Sequence, residues 1–325
     1  MAQVIANDVS AIQPEKWSEM VQVPLYKSLV SLEVANMKLS DTLKGADTIH
    51  VPRFGALSAV TYTPGTTLSA TPQEWDYDTL VVSTYKHCSF YVDSARALTI
   101  NIDQARELAG DAAYQLKNAI DTHVFLNITG ADGFQCVDAS IAQGGTAARE
   151  VSATSGDIIN VFANLRKELR KRNVEEAGDW CAVVTPSVAA IIEIKATAVG
   201  YNVADATLRN GYVGDFMGFQ IYISNNLPSG KCSTIAPPTA TWGDATTDWQ
   251  GVSATAASAT TCRSIYVGRK GTIDVVLMRA PALEIRPKDD MIGSNYITWT
   301  VYGSAVFEKN RKRGINVPIN VATAG

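Results

Sequence analysis

The residues that most invite a chemical interpretation are three acidic side chains at alternate positions, Glu74, Asp76 and Asp78. Alternate residues of a β-strand project to one face, so these carboxylates would lie together and could bind a hard cation. No further oxygen ligands cluster nearby in the sequence. The pattern therefore favours the alternative, a solvated or partner-facing edge whose charges discourage misplaced strand pairing.

Imidazole bases are few, and the three histidines of the chain are His50, His87 and His123. Two lie in β-strand sequence and one in a predicted helix, so a structural role is favoured over ligation or catalysis. The catalytic Gly-x-Ser-x-Gly and His-Glu-x-x-His patterns and the phosphate-loop pattern do not occur. Three glycines lack the spacing of a dinucleotide loop: Gly211, Gly214 and Gly218. We expect no enzyme activity, no metal and no cofactor.

Two basic clusters could contact anions. The first lies on a predicted helix: Arg166, Lys167, Arg170, Lys171 and Arg172. It could contact phosphates or an acidic patch of another subunit. A solvated helix face that uses the spacing of Glu168 and Arg172 explains it as well and is the favoured interpretation. The second cluster is either DNA-facing or intersubunit: Lys309, Arg311, Lys312 and Arg313.

The elements that must position these residues begin with a long β segment. One arm starts at Thr48, a turn is predicted at 62–65 around Pro64-Gly65, and the return runs from Asp78 to Val92. β-Branched and aromatic residues dominate both arms. An isolated hairpin of two strands is marginally stable in water, so this one is expected to lie against another surface, most simply that of a neighbouring subunit.

A long alanine-rich helix follows, predicted over 101–127 and roughly 40 Å long. Apolar residues recur at helical spacing: Ala105, Leu108, Ala109, Ala112, Ala113, Leu116, Ala119, Ile120 and Val124. Polar residues are predicted to take the other face: Arg106, Glu107, Asp111, Gln115, Lys117 and Asp121. Such a helix would form a spine along one side of the subunit.

The order of these elements resembles the major capsid proteins of tailed bacteriophages with the Hong Kong 97 fold. The spine "NIDQARELAGDAAYQLKNAIDTHVF" follows a loop exit "TYKHCSFYVDSARAL". The stretch "GYVGDFMGFQIYISNNLP" resembles the family's central-domain strand, and "SIYVGRKGTIDVVLMRAPALEIRPKDDMIGSNYITWTVYGSAVFEKN" resembles its late strands. The resemblance covers nearly the whole chain and rests on order rather than on a signature motif. It implies an α+β fold with an N-terminal arm, an extended β loop, a spine helix, a peripheral domain and a central α/β-like domain.

Domain boundaries follow from turn-rich stretches and from this resemblance. They are the arm 1–46, the β loop 47–93, a peripheral domain of 94–150 and 271–308, a central domain 151–270 and a C-terminal segment 309–325. An Ala-, Thr- and Ser-rich stretch at 229–262 cannot build a core and is predicted to be a surface insertion. Cys232 and Cys262 flank it, but reduced, buried thiols are the default for the five cysteines.

Composition excludes several classes of protein. The net charge is −4 over 325 residues, so no global basic field indicates tight nucleic-acid binding. Charged residues make up 18%, below the roughly 25% typical of soluble domains, which hints at extensive subunit contacts. The N-terminus does not resemble a signal peptide, and no apolar run is long enough to span a bilayer. We expect synthesis in the host cytoplasm and no membrane partner.

The resemblance implies a shell protein that assembles as hexamers and pentamers around double-stranded DNA, within a virion. Aromatic residues are frequent interface anchors. The predicted contacts are Tyr62, Pro64, Trp75 and Tyr77 in the loop, Trp17 and Tyr26 in the arm, and Trp242 and Trp249 in the insertion. Scaffolding and portal proteins are expected as separate partners, and cement proteins are left open. The alternatives are an encapsulin-type bacterial shell and, from another class, a secreted carbohydrate-binding or hydrolytic β protein.

Some members of this family join a loop lysine covalently to an asparagine of a neighbour. The stretch from Asp47 to Tyr85 contains no lysine, and Lys86 lies well down the return strand. We therefore predict a shell held by noncovalent overlap.

Overall fold

A computed structural model describes residues 26–27, 29–43, 46–55, 57, 59–67, 75–93, 104–128, 151–152, 158–176, 178–198, 212–231, 261–287 and 293–320. Helices and strands are mixed along the chain, which confirms the predicted α+β class in its general form. Several predicted features lie outside the described residues: Trp17, Glu74, Gly211, Cys232, Trp242 and Trp249.

The helices are α1 (Ser31–Val34), α2 (Gln104–Leu126), α3 (Ile158–Lys171), α4 (Pro186–Ala198) and α5 (Glu308–Arg311), with a 3-10 turn at Lys38–Asp41. The first strands are β1 (Thr48–Phe54), β2 (Trp75–Val81), β3 (Thr84–Asp93), β4 (Val151–Ser152), β5 (Trp180–Val184) and β6 (Tyr212–Phe216). The later strands are β7 (Phe219–Ile223), β8 (Ser229–Lys231), β9 (Thr261–Arg269), β10 (Asp274–Pro287), β11 (Gly293–Ala305) and β12 (Gly314–Asn320). No helix in the described ranges is long and apolar enough to cross a membrane.

The strands form three sheets. β1 and β2 make an antiparallel hairpin, β10, β11 and β3 make a three-stranded sheet, and the remaining strands make a seven-stranded sheet. β3 pairs with β11 from Asp93 opposite Gly293 to Thr84 opposite Tyr302. The predicted return arm is therefore divided: β2 closes the hairpin, whereas β3 has a partner within its own chain. The loop was predicted to lie against a neighbouring subunit along its whole length. For β3 this prediction was wrong, because β3 pairs with β11 of its own chain.

The spine α2 packs against the three-stranded sheet. Its predicted apolar stripe is buried at Ala112, Leu116, Ile120 and Val124. Two positions differ from the prediction: Leu108 is 44% exposed, whereas Asp121, placed on the polar face from its spacing, is 1% exposed. The N-terminal segment beside α1 covers Asp121, which therefore does not reach water.

The seven-stranded sheet carries the larger core, with α3 and α4 packed against it. Trp180 of β5 stacks on Phe219 of β7 with ring centroids 5.4 Å apart, and both side chains are buried. The first basic cluster was predicted to lie on a helix, and its residues from Arg166 to Lys171 belong to α3.

The C-terminal part of the chain also belongs to this sheet. β12 pairs with β9 and, in parallel, with β4, and Ile315 and Val317 are buried. The part of the predicted C-terminal segment 309–325 that forms β12 is therefore a strand of the seven-stranded sheet. The predicted insertion at 229–262 is shorter than expected at both ends, because β8 and the start of β9 form a paired ladder there.

Candidate functional site

The hairpin of β1 and β2 has two chemically different faces. In its register Pro52 lies opposite Tyr77, and Phe54 lies opposite Trp75. Opposed residues share a face, so these four side chains lie together with His50. We call this set the aromatic face: His50, Pro52, Phe54, Trp75 and Tyr77.

The aromatic face is ordered by edge-to-face contacts between its own rings. The ring centroids of Phe54 and Trp75 are 4.5 Å apart, and those of His50 and Tyr77 are 4.8 Å apart. His50 Nδ1 also lies 3.1 Å from Thr79 Oγ1. Trp75 is nevertheless 71% exposed and Tyr77 61% exposed. The contacts hold the rings in place without removing them from water.

The opposite face of the hairpin is charged and contacts the subunit itself. Arg53 forms ion pairs with Asp76 and with Glu308 at the start of α5. The Asp78 carboxylate accepts a 3.3 Å hydrogen bond from the backbone N–H of Glu308. Hydrogen bonding by the Arg53 guanidinium lowers the pKa of the Asp76 carboxyl. This set, Arg53, Asp76, Asp78 and Glu308, is called the charged latch below.

The charged latch also bears on the predicted cation site. Asp76 and Asp78 share a face as expected, but each is engaged by a protein group, and Glu74 lies outside the described residues. No group of three or more potential metal ligands occurs within the part of the chain that the structure describes.

The loop beyond the hairpin places Tyr62 and Pro64 in solvent. Tyr62 is 55% exposed, and Leu57 and Val60 are more than 80% exposed, at 81% and 82%. A tight turn follows, in which the backbone N–H of Thr66 donates to the Thr63 carbonyl at 3.2 Å. Gly65 has a φ of +90°, a conformation that glycine adopts without steric cost. The predicted loop contacts are thus available to a partner.

Tyr26, predicted as an intersubunit contact of the arm, lies on the spine of its own subunit. Its ring centroid is 4.1 Å from that of Tyr114, whose hydroxyl accepts a 2.7 Å hydrogen bond from the backbone N–H of Lys27. The side chain is still 44% exposed. Partial burial, with the charges of Asp111 and Glu107 nearby, raises the pKa of Tyr26.

Two buried carboxylates fix the segment that follows, and sequence reasoning missed both. Asp121 Oδ1 accepts hydrogen bonds from the backbone N–H groups of Val30 and Ser31 at 3.1 and 2.8 Å. Its Oδ2 accepts from Asn226 Nδ2 at 2.8 Å, and Lys27 Nζ donates to Asn226 Oδ1 at 3.0 Å. The arm, the spine and the Asn-Leu-Pro turn therefore meet at one carboxylate.

Asp274, at the start of β10, is the second of these carboxylates. It accepts hydrogen bonds from Asn36 Nδ2 at 2.7 Å and Asn310 Nδ2 at 3.1 Å. The side chain is 2% exposed, and burial raises its pKa to about 6. The sequence shows Asp274 and its partners only as isolated Asp and Asn residues. Such residues are also common in turns and helix caps, so they did not indicate a buried carboxylate.

The remaining histidines, glycines and cysteines singled out in the sequence lie in helices, strands and turns of the subunit. His123 packs edge-on against Tyr302 with centroids 5.1 Å apart, and burial lowers its pKa. His87 is exposed on β3, and Gly218 has a φ of +84° in the turn between β6 and β7. Cys88 and Cys181 are free thiols.

The first basic cluster is largely paired with acidic residues. Arg166 Nε and Arg170 Nη2 donate to Glu176 Oε1 at 2.9 and 2.8 Å, and Lys171 forms an ion pair with Glu168 at 3.1 Å. Hydrogen bonds from the two arginines lower the pKa of the Glu176 carboxyl. Arg172 Nη1 donates to the Gly314 carbonyl at 3.1 Å. Lys309, Lys312 and Arg313 of the second cluster are exposed, and Arg311 is half-buried.

Comparisons with solved structures show that chains of phage capsid structures share this architecture. A structure from Mycobacterium phage Che8 matches with a TM-score of 0.67 at 18% identity, covering 98% of each chain. The capsid structure of cyanophage P-SCSP1u matches with a TM-score of 0.69 at 13% identity, covering 99% of this chain and 97% of that one. A chain of the bacteriophage PhiM1 mature capsid matches with a TM-score of 0.62 at 15% identity, over 96% and 93%.

The chain therefore has the fold of phage capsid proteins along nearly its full length. The predicted resemblance to phage capsid proteins is therefore confirmed at the level of the fold. No protein-family model matches the sequence, and no curated protein matches it.

Proposed function

We propose that this chain is the major capsid protein of a tailed double-stranded DNA bacteriophage, with the Hong Kong 97 arrangement of arm, extended loop, spine, peripheral domain and central domain. Copies assemble as hexamers and pentamers into an icosahedral head. The observation that carries the proposal is the exposed aromatic face on a hairpin whose chain matches capsid structures over nearly its full length.

Burial of the aromatic face by a second copy provides a driving force for assembly. Covering a large aromatic side chain contributes about 2 kcal/mol, and tryptophan and tyrosine are enriched among residues that dominate interface energy. Trp75 and Tyr77 are both more than half exposed in the single subunit. Tyr62 and Pro64, in the loop beyond the hairpin, are also exposed and could add to the contact.

The charged latch supports a directional contact. It holds one face of the hairpin against α5, so the aromatic face is turned away from its own subunit. A surface that docks on a different surface of the next copy gives a heterologous contact, which closes into rings. Rings of six and five copies then close a shell.

The other parts of the proposal follow from the same assignment. The chain is a structural protein rather than an enzyme, is made in the bacterial host cytoplasm and resides in the virion. Its partners are other copies of itself, separate scaffolding and portal proteins, and enclosed DNA bound without sequence specificity. The proposal does not assign a cement protein. An encapsulin-type shell is the alternative outcome, recognised by co-purifying cargo enzymes and no DNA.

The decisive experiment is electron microscopy and sedimentation of the full chain, produced with and without the phage scaffolding protein. We expect closed shells for the native sequence and loss of shells for Trp75→Ala with Tyr77→Ala. A loss of about 4 kcal/mol per contact is expected to raise the concentration needed for assembly by more than a hundredfold.

Tyr85→Ala provides a matched control. Tyr85 is 69% exposed but lies on β3 of the three-stranded sheet rather than on the hairpin. It should assemble like the native chain. Persistent dispersed monomers of the native chain under all conditions would reject the shell function, whereas shells formed equally well by the hairpin variant would reject the aromatic face as the contact.

A further inference from the structure

A lysine, an asparagine and a buried aspartate meet where the N-terminal segment crosses the spine. Lys27 Nζ lies 3.0 Å from Asn226 Oδ1, although the two residues are 199 positions apart in the sequence. Asn226 Nδ2 donates to Asp121 Oδ2 at 2.8 Å and to Asn118 Oδ1 at 2.7 Å. We call this group the lysine–amide cluster: Lys27, Asn118, Asp121 and Asn226.

The chemistry of its neighbours fixes the orientation of the Asn226 amide. A carboxylate only accepts hydrogen bonds, so the amide atom that faces Asp121 is the nitrogen. An ammonium group only donates, so the atom that faces Lys27 is the oxygen. The carbonyl therefore faces the amine, and the nitrogen that would leave in an exchange of amides faces the carboxylate.

The Lys27 amine is held close to the amide carbon. Because a carbonyl bond is about 1.23 Å long, a 3.0 Å distance to Oδ1 places Nζ within roughly 4 Å of Asn226 Cγ. Its backbone is fixed by a 2.7 Å bond from the Lys27 N–H to the Tyr114 hydroxyl. Reacting atoms about 3–3.5 Å apart define a conformation ready for attack, and a small rotation of the lysine stem reaches it.

Burial protects the amide but leaves the lysine in contact with water. Asn226 is 8% exposed and Asp121 is 1% exposed. Water therefore has little access to the amide carbon, which favours attack by the amine over hydrolysis. Lys27 is exposed, so its ammonium group can release a proton to solvent and present the neutral amine.

We propose that Lys27 and Asn226 form an amide bond within one chain and release ammonia. The neutral amine attacks Cγ, the Nζ–Cγ bond forms, and the carbonyl electron pair moves onto Oδ1. Asp121 Oδ2 then takes a proton from the attacking nitrogen and delivers it to Nδ2. One carbon carries both nitrogens at this stage, so a carboxylate that binds one lies near the other. The carbonyl re-forms, the Cγ–Nδ2 bond breaks, and the step needs no oxidant.

The bond would fasten the N-terminal segment to the turn after β7 of the same subunit. This inference goes beyond the shell function, because it assigns a covalent modification that does not depend on assembly. It is also compatible with noncovalent contacts between subunits, since a bond within one chain produces no species larger than the monomer.

Mass spectrometry of the full chain under denaturing conditions tests the proposal, with samples taken over time at neutral and mildly alkaline pH. We expect the native mass to fall by one molecule of ammonia, and faster at higher pH because only the neutral amine attacks. Trypsin should no longer cleave after Lys27, and the peptide that carries Lys27 should be joined to the peptide that carries Asn226.

Lys27→Arg is the decisive variant, because arginine keeps the charge and the donor but does not lose its proton. Its mass should equal that of its sequence. Lys117→Arg is the matched control on an exposed lysine of the spine, and it should lose ammonia as the native chain does. The proposal is overturned if the native chain keeps its full mass at every pH, or if Lys27→Arg also loses ammonia.

Asp121→Asn tests the carboxylate separately. The variant keeps the shape of the side chain but cannot carry the proton, so the bond should form about a hundredfold more slowly. An unchanged rate would overturn the role of Asp121. Lys27→Arg changes an exposed residue, so the main comparison holds even if Asp121→Asn destabilises the fold.

Discussion

At the scale of single residues, two buried carboxylates join distant segments of this subunit through hydrogen bonds. Asp121 and Asp274 lie at the two ends of the 30–36 segment and bind its backbone or side chains. Around them, backbone bonds join Gly271 to Val34 and Asn36 to Ile273, at 2.7 and 2.8 Å. This segment is therefore part of the folded subunit.

Asp121→Ala is predicted to destabilise the subunit by about 3 kcal/mol. The change leaves the two buried backbone N–H groups of Val30 and Ser31 without their acceptor and removes one of the two bonds that Asn226 Nδ2 donates, the other going to Asn118 Oδ1. Each unsatisfied buried group is costly. Thermal unfolding measures the effect as a fall of several degrees in Tm. Asp111→Ala, on the same helix, provides the control, because Asp111 accepts only a long 3.4 Å bond from Gln115. Equal Tm values for the two variants would contradict this role of Asp121.

Asp274→Asn is predicted to flatten the dependence of stability on pH. Burial raises the pKa of Asp274 from 3.8 to about 6, so the folded state holds a proton that the unfolded state releases. The contribution is fully present below the unfolded pKa and is lost as pH rises through about 6. Melting curves from acid to neutral pH should show the variant gaining Tm relative to the native chain as pH rises. Parallel curves would contradict the assignment.

At the scale of elements, the hairpin combines a solvent-facing aromatic side with a side attached to its own subunit. Its root packs into a small core formed by Leu43, Leu80, Val82, Val276 and Val301. Beyond that core, the charged latch is the described contact between the hairpin and α5. The orientation of the hairpin therefore depends strongly on one arginine.

Arg53→Gln is predicted to loosen the hairpin without unfolding the subunit. The variant keeps hydrogen-bonding capacity but loses the charge that binds both Asp76 and Glu308. Hydrogen exchange of the β1 and β2 amides should become a few-fold faster, while exchange in the seven-stranded sheet stays the same. Arg286→Gln is a suitable control, because Arg286 pairs with Glu284 on a different sheet. Unchanged hairpin exchange would mean that the small core alone orients it.

At the scale of the whole molecule, the absence of lysine from Asp47 to Tyr85 predicts how shells are held together. Assembled particles boiled in denaturant should run as a single band at the monomer position on a gel. A ladder of larger species would contradict noncovalent overlap. At protein concentrations high enough for the Trp75→Ala, Tyr77→Ala chain to assemble, its shells should dissociate at a lower denaturant concentration than native shells.

Local sequence was sufficient for much of the fold because period and turn chemistry act over short distances. The 3.6-residue period predicted α2, whose observed bounds lie within a few residues of the expected ones. The exposed aromatic residues Trp75 and Tyr77 were also selected from the sequence, since aromatic residues are frequent interface anchors.

The sequence by itself thus determined much of the order and type of the elements, the aromatic residues of the loop and the lack of a loop lysine. Only the tertiary structure decided which strands pair, placing β3 beside β11 and β12 beside β9. It also buried Asp121 and bonded the Arg172 guanidinium to the Gly314 carbonyl. The physical reason is that periodicity shows which face of an element is apolar, whereas burial of the opposite face depends on distant segments that happen to cover it.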